Sequence, residues 1–589
     1  MRGWEGLPEI SKALYNESYF LDSETYEDWN FRICSAYAND DAHRDRMMSY
    51  IRNYWFHPST PVSSNGGTDR GLPISCYVGE VEDSKKGIFD AWNESSWLGS
   101  LAGGVGRLWT NVRSRGEKIS LIGESSGVIP FMKVDEALTN AVSQGGLRRM
   151  SQADWLWDTH PEIEDFVELR KPSGDQKRRA LDLHHGVVLS DEFMYSVIYD
   201  KKWDLISPKT GKVVKTIKAK KLWDKILDMR VTTGEPYILF KNNANRLAPE
   251  EYKELELEIR LSNLCTEIME STSTDKTNVC CLGSINLEYW DEYVSQLDQF
   301  IADCSDFLDN VLQDFIDKTE GREGFKKARK AAMDERSIGL GVMGWHSLLQ
   351  SKSMPFGSPM AKGLNTKIFK AIKEAADKHN ENCEPCPMSI RANTDTSKRN
   401  INVTAIAPTM SISNLCNLAS SGIEPWAANA FTKKLKQGSF AIKNKYLDKV
   451  IKEYANSNVL GRAIQDWIDE QWDSIKKHNG SVQHLDWMDS WTKDVFKTAF
   501  EINQASIVDL ASDRTPYIDQ GQSTNLFVVG NSRTQDIADL HVLAWKKGLK
   551  SLYYLRSFNP NRASTSSKER KIIQTQQDDL FSDTCPSCG

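Results

Sequence analysis

The chain has 589 residues, of which 40% are hydrophobic, 26% charged and 10% aromatic, the make-up of an ordinary globular protein long enough for several domains or one large α/β unit. Lys plus Arg (74) against Asp plus Glu (81) leaves a formal charge of −7, which excludes a protein held on nucleic acid mainly by bulk positive charge but leaves small phosphorylated ligands open. No run approaches the roughly 18 to 20 apolar residues that span a bilayer, and the opening Met1-Arg2-Gly3-Trp4-Glu5-Gly6-Leu7-Pro8 lacks a signal-peptide core. A cytoplasmic protein is expected, with neither membrane nor nucleic acid as partner.

In chain order, residues 1–56 predict a short amphipathic helical region. The string TPVSSNGGTDRGLPISC from Thr60 to Cys76 predicts a loop leading into a strand. Glycine doublets follow at Gly103-Gly104 and Gly145-Gly146. The short apolar runs SIGLGVMG (337–344) and INVTAIAPTM (401–410) predict strands, and the stretches 361–382 and 446–476 predict long helices. Such alternation argues for an α/β architecture with a mainly parallel sheet or barrel. From about Asn559 the composition turns to Ser, Lys, Gln and Asp with few apolar anchors, which predicts a flexible tail.

Eleven cysteines are too few for a disulfide scaffold in a chain this long. The string Asn263-Leu264-Cys265-Thr266-Glu267 stands out. In an extended segment Asn263, Cys265 and Glu267 project to one face, offering an amide, a thiol and a carboxylate side by side. The thiol suits redox or radical work and the carboxylate suits a general base; the bland alternative is a loop with a buried Cys and two polar neighbours. Cys585-Pro586-Ser587-Cys588 lies at the very end of the polar tail with no second ligand pair beside it, so thiol–disulfide exchange by a mobile arm is a better reading than structural zinc. Cys383 and Cys386 read as a chance surface pair. Pro408-Thr409-Met410-Ser411-Ile412-Ser413 follows an apolar run and offers hydroxyls and N–H groups at a strand-to-helix turn, a setting that favours phosphate. A Walker A spacing is absent, and the glycine doublets at 103–104 and 145–146 do not form G-x-G-x-x-G. Tyr553-Tyr554, taken alone, reads as strand packing.

Together and in this order, these motifs resemble those of the catalytic subunit of ribonucleotide reductase, over most of the chain from about Thr60 to Cys588. The resemblance implies a ten-stranded α/β barrel with a central finger loop, spanning residues 57–558, with the short helical region 1–56 before it and the flexible tail 559–589 after it. Cys265 looks like the thiyl-radical cysteine, with Glu267 taking the 3′-hydroxyl proton and Asn263 holding the substrate hydroxyls. Cys76 in ISC and Cys280 in VCCLGSINL look like the reducing pair. Cys280 is preferred to Cys281 because Asn286-Leu287 follows at the family's spacing. Cys585 and Cys588 look like the arm that re-reduces that pair and is itself reduced by thioredoxin or glutaredoxin. Thr409, Met410, Ser411, Ile412 and Ser413 look like the substrate phosphate loop, with Ser75, Thr60 and the rest of the 60–64 loop lining the same pocket.

The resemblance also implies an effector region at about 83–149, where a deoxynucleoside triphosphate or ATP sets substrate choice across a dimer interface. Asp83, Ser84 and Lys85 match its base-reading turn and Arg113 its phosphate-binding arginine. Gln144, Gly145, Gly146, Arg148 and Arg149, within SQGGLRR, match the loop between effector and substrate; a family lysine is replaced by Ser100. A lead-in of some fifty residues leaves no room for the family's ATP cone, so control by overall on/off switching is expected to be missing, a compactness common in virus-encoded members. Tyr553 and Tyr554 in YYLRS match the relay of members that receive their radical from a separate, ferritin-like, metal-bearing subunit. PTMSIS and SSGIEP lie closer to members that use adenosylcobalamin, which is the alternative radical source. The expected partners are thus a ribonucleoside diphosphate, a radical-generating subunit, thioredoxin or glutaredoxin, and a second copy of the chain. No permanently bound cofactor and no metal is expected in the chain itself.

Overall fold

The computed structural model describes residues 2–101, 103–119, 123–142, 150–435, 437–459, 461, 463–530 and 532–558. Five parallel strands that neighbour one another in chain order form the first half of a barrel: Cys76–Glu80, Gly104–Leu108, Ser151–Trp157, His184–Leu189 and Tyr237–Phe240. Helices such as Lys85–Ser100, Ile129–Val142 and Ala219–Thr233 lie in the crossovers. Most strand residues are buried whichever way they point, because parallel strands covered by helices outside and filled inside have no solvent face.

The second half repeats the pattern. Leu282–Asn286 runs parallel to Gly339–Met343, Leu340 bridges Thr404, Ile406 bridges Gln522, and Leu526–Val529 runs parallel to Leu555–Phe558. Two antiparallel seams close the ring. Asn278–Cys280 pairs with the first strand, and Ser551–Leu552 pairs with Tyr237–Phe240. Counting Asn278–Asn286 and Ser551–Phe558 as one continuous segment each, ten segments surround the centre, and the ten-stranded barrel is the fold that forms.

Three local expectations are corrected. TPVSSN is a helix, Thr60–Asn65, and not a loop; Pro61 sits in its first turn, where a missing N–H costs nothing. INVTAIAPTM makes only isolated bridges. The N–H groups of Val403 and Thr404 both donate to the Asp519 carboxylate, at 3.0 Å each, so a side chain takes over part of the ladder bonding. The stretch 446–476 is two helices, Lys445–Asn458 and Ala463–Lys477, broken around Gly461 at φ 69°.

The centre of the barrel is filled by residues 261–270. Leu261, Leu264, Ile268 and Met269 are buried in one cluster with Val78, Leu108, Trp155 and Tyr237 from the wall. The wall strand Gly104–Leu108 comes so near that a Cβ at Gly106 would stand 2.5 Å from the Ser262 carbonyl oxygen, so only glycine fits there. On the far side, buried Lys550 donates to the carbonyls of Ile518, Asp519 and Gln520 at 3.2, 2.6 and 2.6 Å, fixing the segment that grips the central loop. Lys550→Met strips three buried carbonyls of that donor and is expected to cost about 3 kcal/mol in chemical denaturation. A loss below about 1 kcal/mol would show that these carbonyls find other partners.

Candidate active site

The central segment is not extended, as the alternation argument required. Leu264 and Cys265 form a turn; Thr266 takes a φ of 68°, and its N–H donates to the Asn263 carbonyl at 3.4 Å. Asn263, Cys265 and Glu267 still meet, because the Asn263 side chain closes the turn. Its Oδ1 accepts from the N–H groups of Glu267 and Ile268 at 3.1 Å each, while its Nδ2 lies 3.2 Å from Cys76 Sγ. Residues from the second half-barrel hold the loop from behind. Ser523 Oγ donates to the Cys265 carbonyl at 2.5 Å and reaches Glu267 Oε2 at 3.3 Å. Ser551 Oγ donates to the Thr266 carbonyl and Gly521 N to the Glu267 carbonyl, at 2.9 and 2.7 Å.

Cys76 and Cys280 are directly opposite partners across the antiparallel seam. Opposite residues of such a pair have Cα atoms about 4.5 to 5.5 Å apart, within the span a disulfide bridges. Cys76 Sγ is also 4.0 Å from Glu267 Oε1. Cys281 turns elsewhere, donating to the Leu308 carbonyl at 3.1 Å. Burial, followed by the nearby Glu270, pushes the Cys280 thiol well above its ordinary range, so it keeps its proton. Glu270 is itself raised by burial and by Glu335, and Gln520 Nε2 approaches Cys280 Sγ at 3.5 Å.

On the other side of the thiol, Tyr553 Oη lies 3.7 Å from Cys265 Sγ. The rings of Tyr553 and Tyr554 have centroids 4.3 Å apart at 52°, and the Arg556 guanidinium covers Tyr554 at 4.1 Å. Both tyrosines are buried. Tyr237, unremarkable in the sequence, packs against both at 4.8 and 5.0 Å. Its hydroxyl is 3.2 Å from His184 Nδ1 and 3.4 Å from Glu235 Oε1. Burial works to raise the Glu235 carboxyl, but Arg170, His184 and His185 together hold it well below the usual carboxylate range. Nothing in local spacing marks Tyr237, Glu235, His184, Ser523 or Gln520, because three segments far apart in sequence (184, 235–237 and 520–523) bring them together.

The residues expected to form the phosphate loop sit at the end of the 401–410 run. Thr409 has a φ of 56°, and its Oγ1 accepts from Gly422 N at 2.7 Å. The helix behind is a single turn, Ile412–Leu415. Ser413 Oγ meets Ser421 Oγ at 3.2 Å, and Met410 and Ser411 remain half-buried. A cleft lined by Met410, Ser413, Glu424, Asn525 and Arg556 joins this loop to the arginine over Tyr554. Ser75 Oγ donates to Ser59 Oγ at 2.9 Å, and Thr60 Oγ1 is 3.2 Å from the Tyr19 hydroxyl.

At the expected effector turn, Arg113 Nε lies 3.0 Å from both Asp83 oxygens, so the two residues assigned to base and phosphate pair with each other. Ser84 caps helix Lys85–Ser100 by accepting from Gly87 N, and Lys85 is exposed. Gln144, Gly145, Gly146, Arg148 and Arg149, and the tail pair Cys585 and Cys588, lie outside the described residues.

The family model for the ribonucleotide reductase barrel domain matches residues 74–383 and 390–555. The chain belongs to the ribonucleotide reductase family. A ribonucleoside-diphosphate reductase large subunit of Invertebrate iridescent virus 3 is 36% identical, over 92% of each chain. The large subunit of Caenorhabditis elegans is 31% identical, over 91% of this chain and 74% of that one. Among solved structures, the Actinobacillus ureae class Id ribonucleotide reductase alpha subunit is similar at a TM-score of 0.83 and 30% identity, covering 96% of this chain and all of that one. Among the described residues of this reductase-family chain, no helix is long and apolar enough to cross a membrane.

Proposed function

We propose that this chain is the catalytic subunit that reduces ribonucleoside diphosphates to 2′-deoxyribonucleotides for DNA synthesis, and that its radical comes from a separate metal-bearing subunit through Tyr554 and Tyr553. What carries this reading is a file of buried side chains: Tyr554, Tyr553 and Cys265 in sequence, then Asn263 and Glu267, then Cys76 opposite Cys280. A Cys265 thiyl takes hydrogen from the ribose 3′ carbon and becomes a thiol. Glu267 accepts the 3′-hydroxyl proton as the 2′-hydroxyl leaves as water. Cys76 and Cys280 give up two electrons and two protons, one proton to the departing water and one to C2′, and end as a disulfide; Glu267 returns its proton to the 3′ oxygen, the 3′ hydrogen returns to C3′ and the thiyl is restored. Burial suits this chemistry, because water and stray thiols would quench the radical.

The similar proteins are called large or alpha subunits, names that presuppose a second chain, and this favours an external radical source over adenosylcobalamin. A homodimer is proposed from helix Lys85–Ser100, which follows the effector turn and exposes Phe89 (56%) and Trp97 (47%) two turns apart. The deciding assay is deoxynucleotide formation by the purified chain with a ribonucleoside diphosphate, a dithiol and an effector. Activity restored by a metal-loaded ferritin-like subunit is the expected outcome; turnover that needs only adenosylcobalamin would replace the partner-subunit reading.

The tail makes a separate prediction. Deleting residues 584–589 is expected to preserve turnover with a small dithiol that diffuses to the buried pair, and to reduce thioredoxin- or glutaredoxin-driven turnover to background. Equal thioredoxin-driven rates in the truncated and full chains would remove Cys585 and Cys588 from the cycle.

A further inference from the structure

Cys383 and Cys386, two residues apart in a Cys-x-x-Cys string, point to different places. Cys386 is buried among apolar residues, and its N–H donates to the Lys398 carbonyl. Cys383 is half-buried at the end of helix Pro359–Asn380, one turn beyond His379. Facing both is Asp306 on helix Leu297–Lys318. His379 Nε2 is 2.7 Å from Asp306 Oδ1 and 3.7 Å from Cys383 Sγ, and the three ligand atoms lie within 4.8 Å of one another. The thiol is also 3.3 Å from the His379 carbonyl, which takes its hydrogen while it is protonated. Asn39 Nδ2 donates to the other Asp306 oxygen at 2.9 Å.

Two features separate this cluster from an ordinary surface contact. First, the thiol and the carboxylate converge on the same ring nitrogen. A Cys–His–Asp relay for nucleophilic catalysis uses the two different nitrogens, one toward each partner, so this arrangement cannot run one. The three donor atoms instead lie close enough to one another to share a cation. Second, the His379–Cys383 separation fits a metal: with Zn–N of about 2.0 Å and Zn–S of about 2.3 Å, a tetrahedral site has an N···S edge of about 3.5 Å, whereas the 2.7 Å His379–Asp306 separation is a hydrogen bond that a bound ion would open. Among the described residues, His379 is the sole charged partner of Asp306, so no Lys or Arg holds the place of a cation.

We infer that Asp306, His379 and Cys383 form a zinc-class transition-metal site, with three protein ligands and one position left to solvent. Binding converts the Cys383 thiol to a thiolate and releases its proton to water; there is no change of oxidation state. The metal would tie the turn after helix Pro359–Asn380 to helix Leu297–Lys318 and withdraw the one half-buried thiol among the described residues from exchange with the tail cysteines.

The test is titration of the metal-stripped full chain with Co²⁺, read by thiolate-to-cobalt charge-transfer absorption and by proton release to an indicator. One equivalent is expected, with one proton released from the thiol. Cys383→Ser should abolish the absorption, His379→Ala should weaken binding at least about a hundredfold, and Asp306→Asn about tenfold or more. A Cys585→Ser/Cys588→Ser double variant should bind as the parent does. The site is overturned if the absorption survives Cys383→Ser, if it vanishes with the tail double variant, or if the parent chain binds without saturation, which would mean adventitious metal only.

Discussion

Cys265→Ser is expected to lower turnover by at least about 10⁴-fold, a barrier increase of about 5.5 kcal/mol, while nucleotide affinity stays within a few-fold. The two expectations separate because the residues that would hold nucleotide are elsewhere. The loop at 409–413 and Ser75 rest on Gly422, Ser421 and Ser59. The fold should survive, since the turn is closed by Asn263 and gripped through the backbone carbonyls of Cys265, Thr266 and Glu267. What serine lacks is a bond a tyrosyl radical can break: an O–H bond is far stronger than S–H, so the radical would have no place to stop beside the ribose. Residual activity above about a hundredth of the parent rate would place the hydrogen-abstracting group on another residue.

How far the sequence announces this site depends on how local each part is. Asn263, Cys265 and Glu267 fall within five residues, and their chemistry is visible even though the extended geometry assumed for them is wrong. The meeting of Cys76 with Cys280 is set by an antiparallel seam joining segments some two hundred residues apart, and no local pattern carries that register. It also explains why neighbouring Cys280 and Cys281 part ways: successive side chains of an extended segment face opposite sides, one to the barrel centre and the other to Leu308. Tyr237, Glu235 and His184 look like ordinary strand residues until three strands bring them beside the tyrosine pair. His379 lies in the predicted helix 361–382 and Cys383 just past its end, so only their closeness in sequence hints that they meet, and Asp306 arrives from a separate helix. The alternation of short apolar runs with long helices did carry the α/β class. The 401–410 segment departs because Asp519, more than a hundred residues later, supplies the acceptor that a neighbouring strand would have supplied.

The same geometry weighs against simple protein disulfide exchange at the barrel. Cys76 and Cys280 are almost wholly buried, so no partner protein can bring a cysteine to them directly. A reductant must be small, or must be an arm of the chain itself, which gives the tail pair its place in the proposed cycle. Non-radical exchange would also leave Glu267, Tyr553 and Tyr554 without a task, although each lies within 4.5 Å of another member of the cluster.

Tyr553→Phe and Tyr554→Phe are each expected to cut turnover with a radical-donating subunit by at least about 10³-fold, or about 4 kcal/mol of barrier. Phenylalanine keeps the ring, so the stack with its neighbour and with Tyr237 stays filled and stability should change little. The loss is of the hydroxyl, and with it the proton whose departure makes one-electron oxidation of the ring accessible. At Tyr553 that hydroxyl is also the atom facing Cys265 Sγ. Tyr237→Phe is the internal comparison: its hydroxyl lies at His184 and Glu235, so a fall within about tenfold is expected if it only positions the pair. Ribonucleotide binding and reduction of the Cys76–Cys280 disulfide by a small dithiol should be unchanged in all three variants. If Tyr554→Phe turns over at the parent rate, the radical does not pass through this pair. A parent-like rate in that variant which also requires added adenosylcobalamin would mean that the radical is generated within this chain, and the cleft beside Arg556 would then need another explanation.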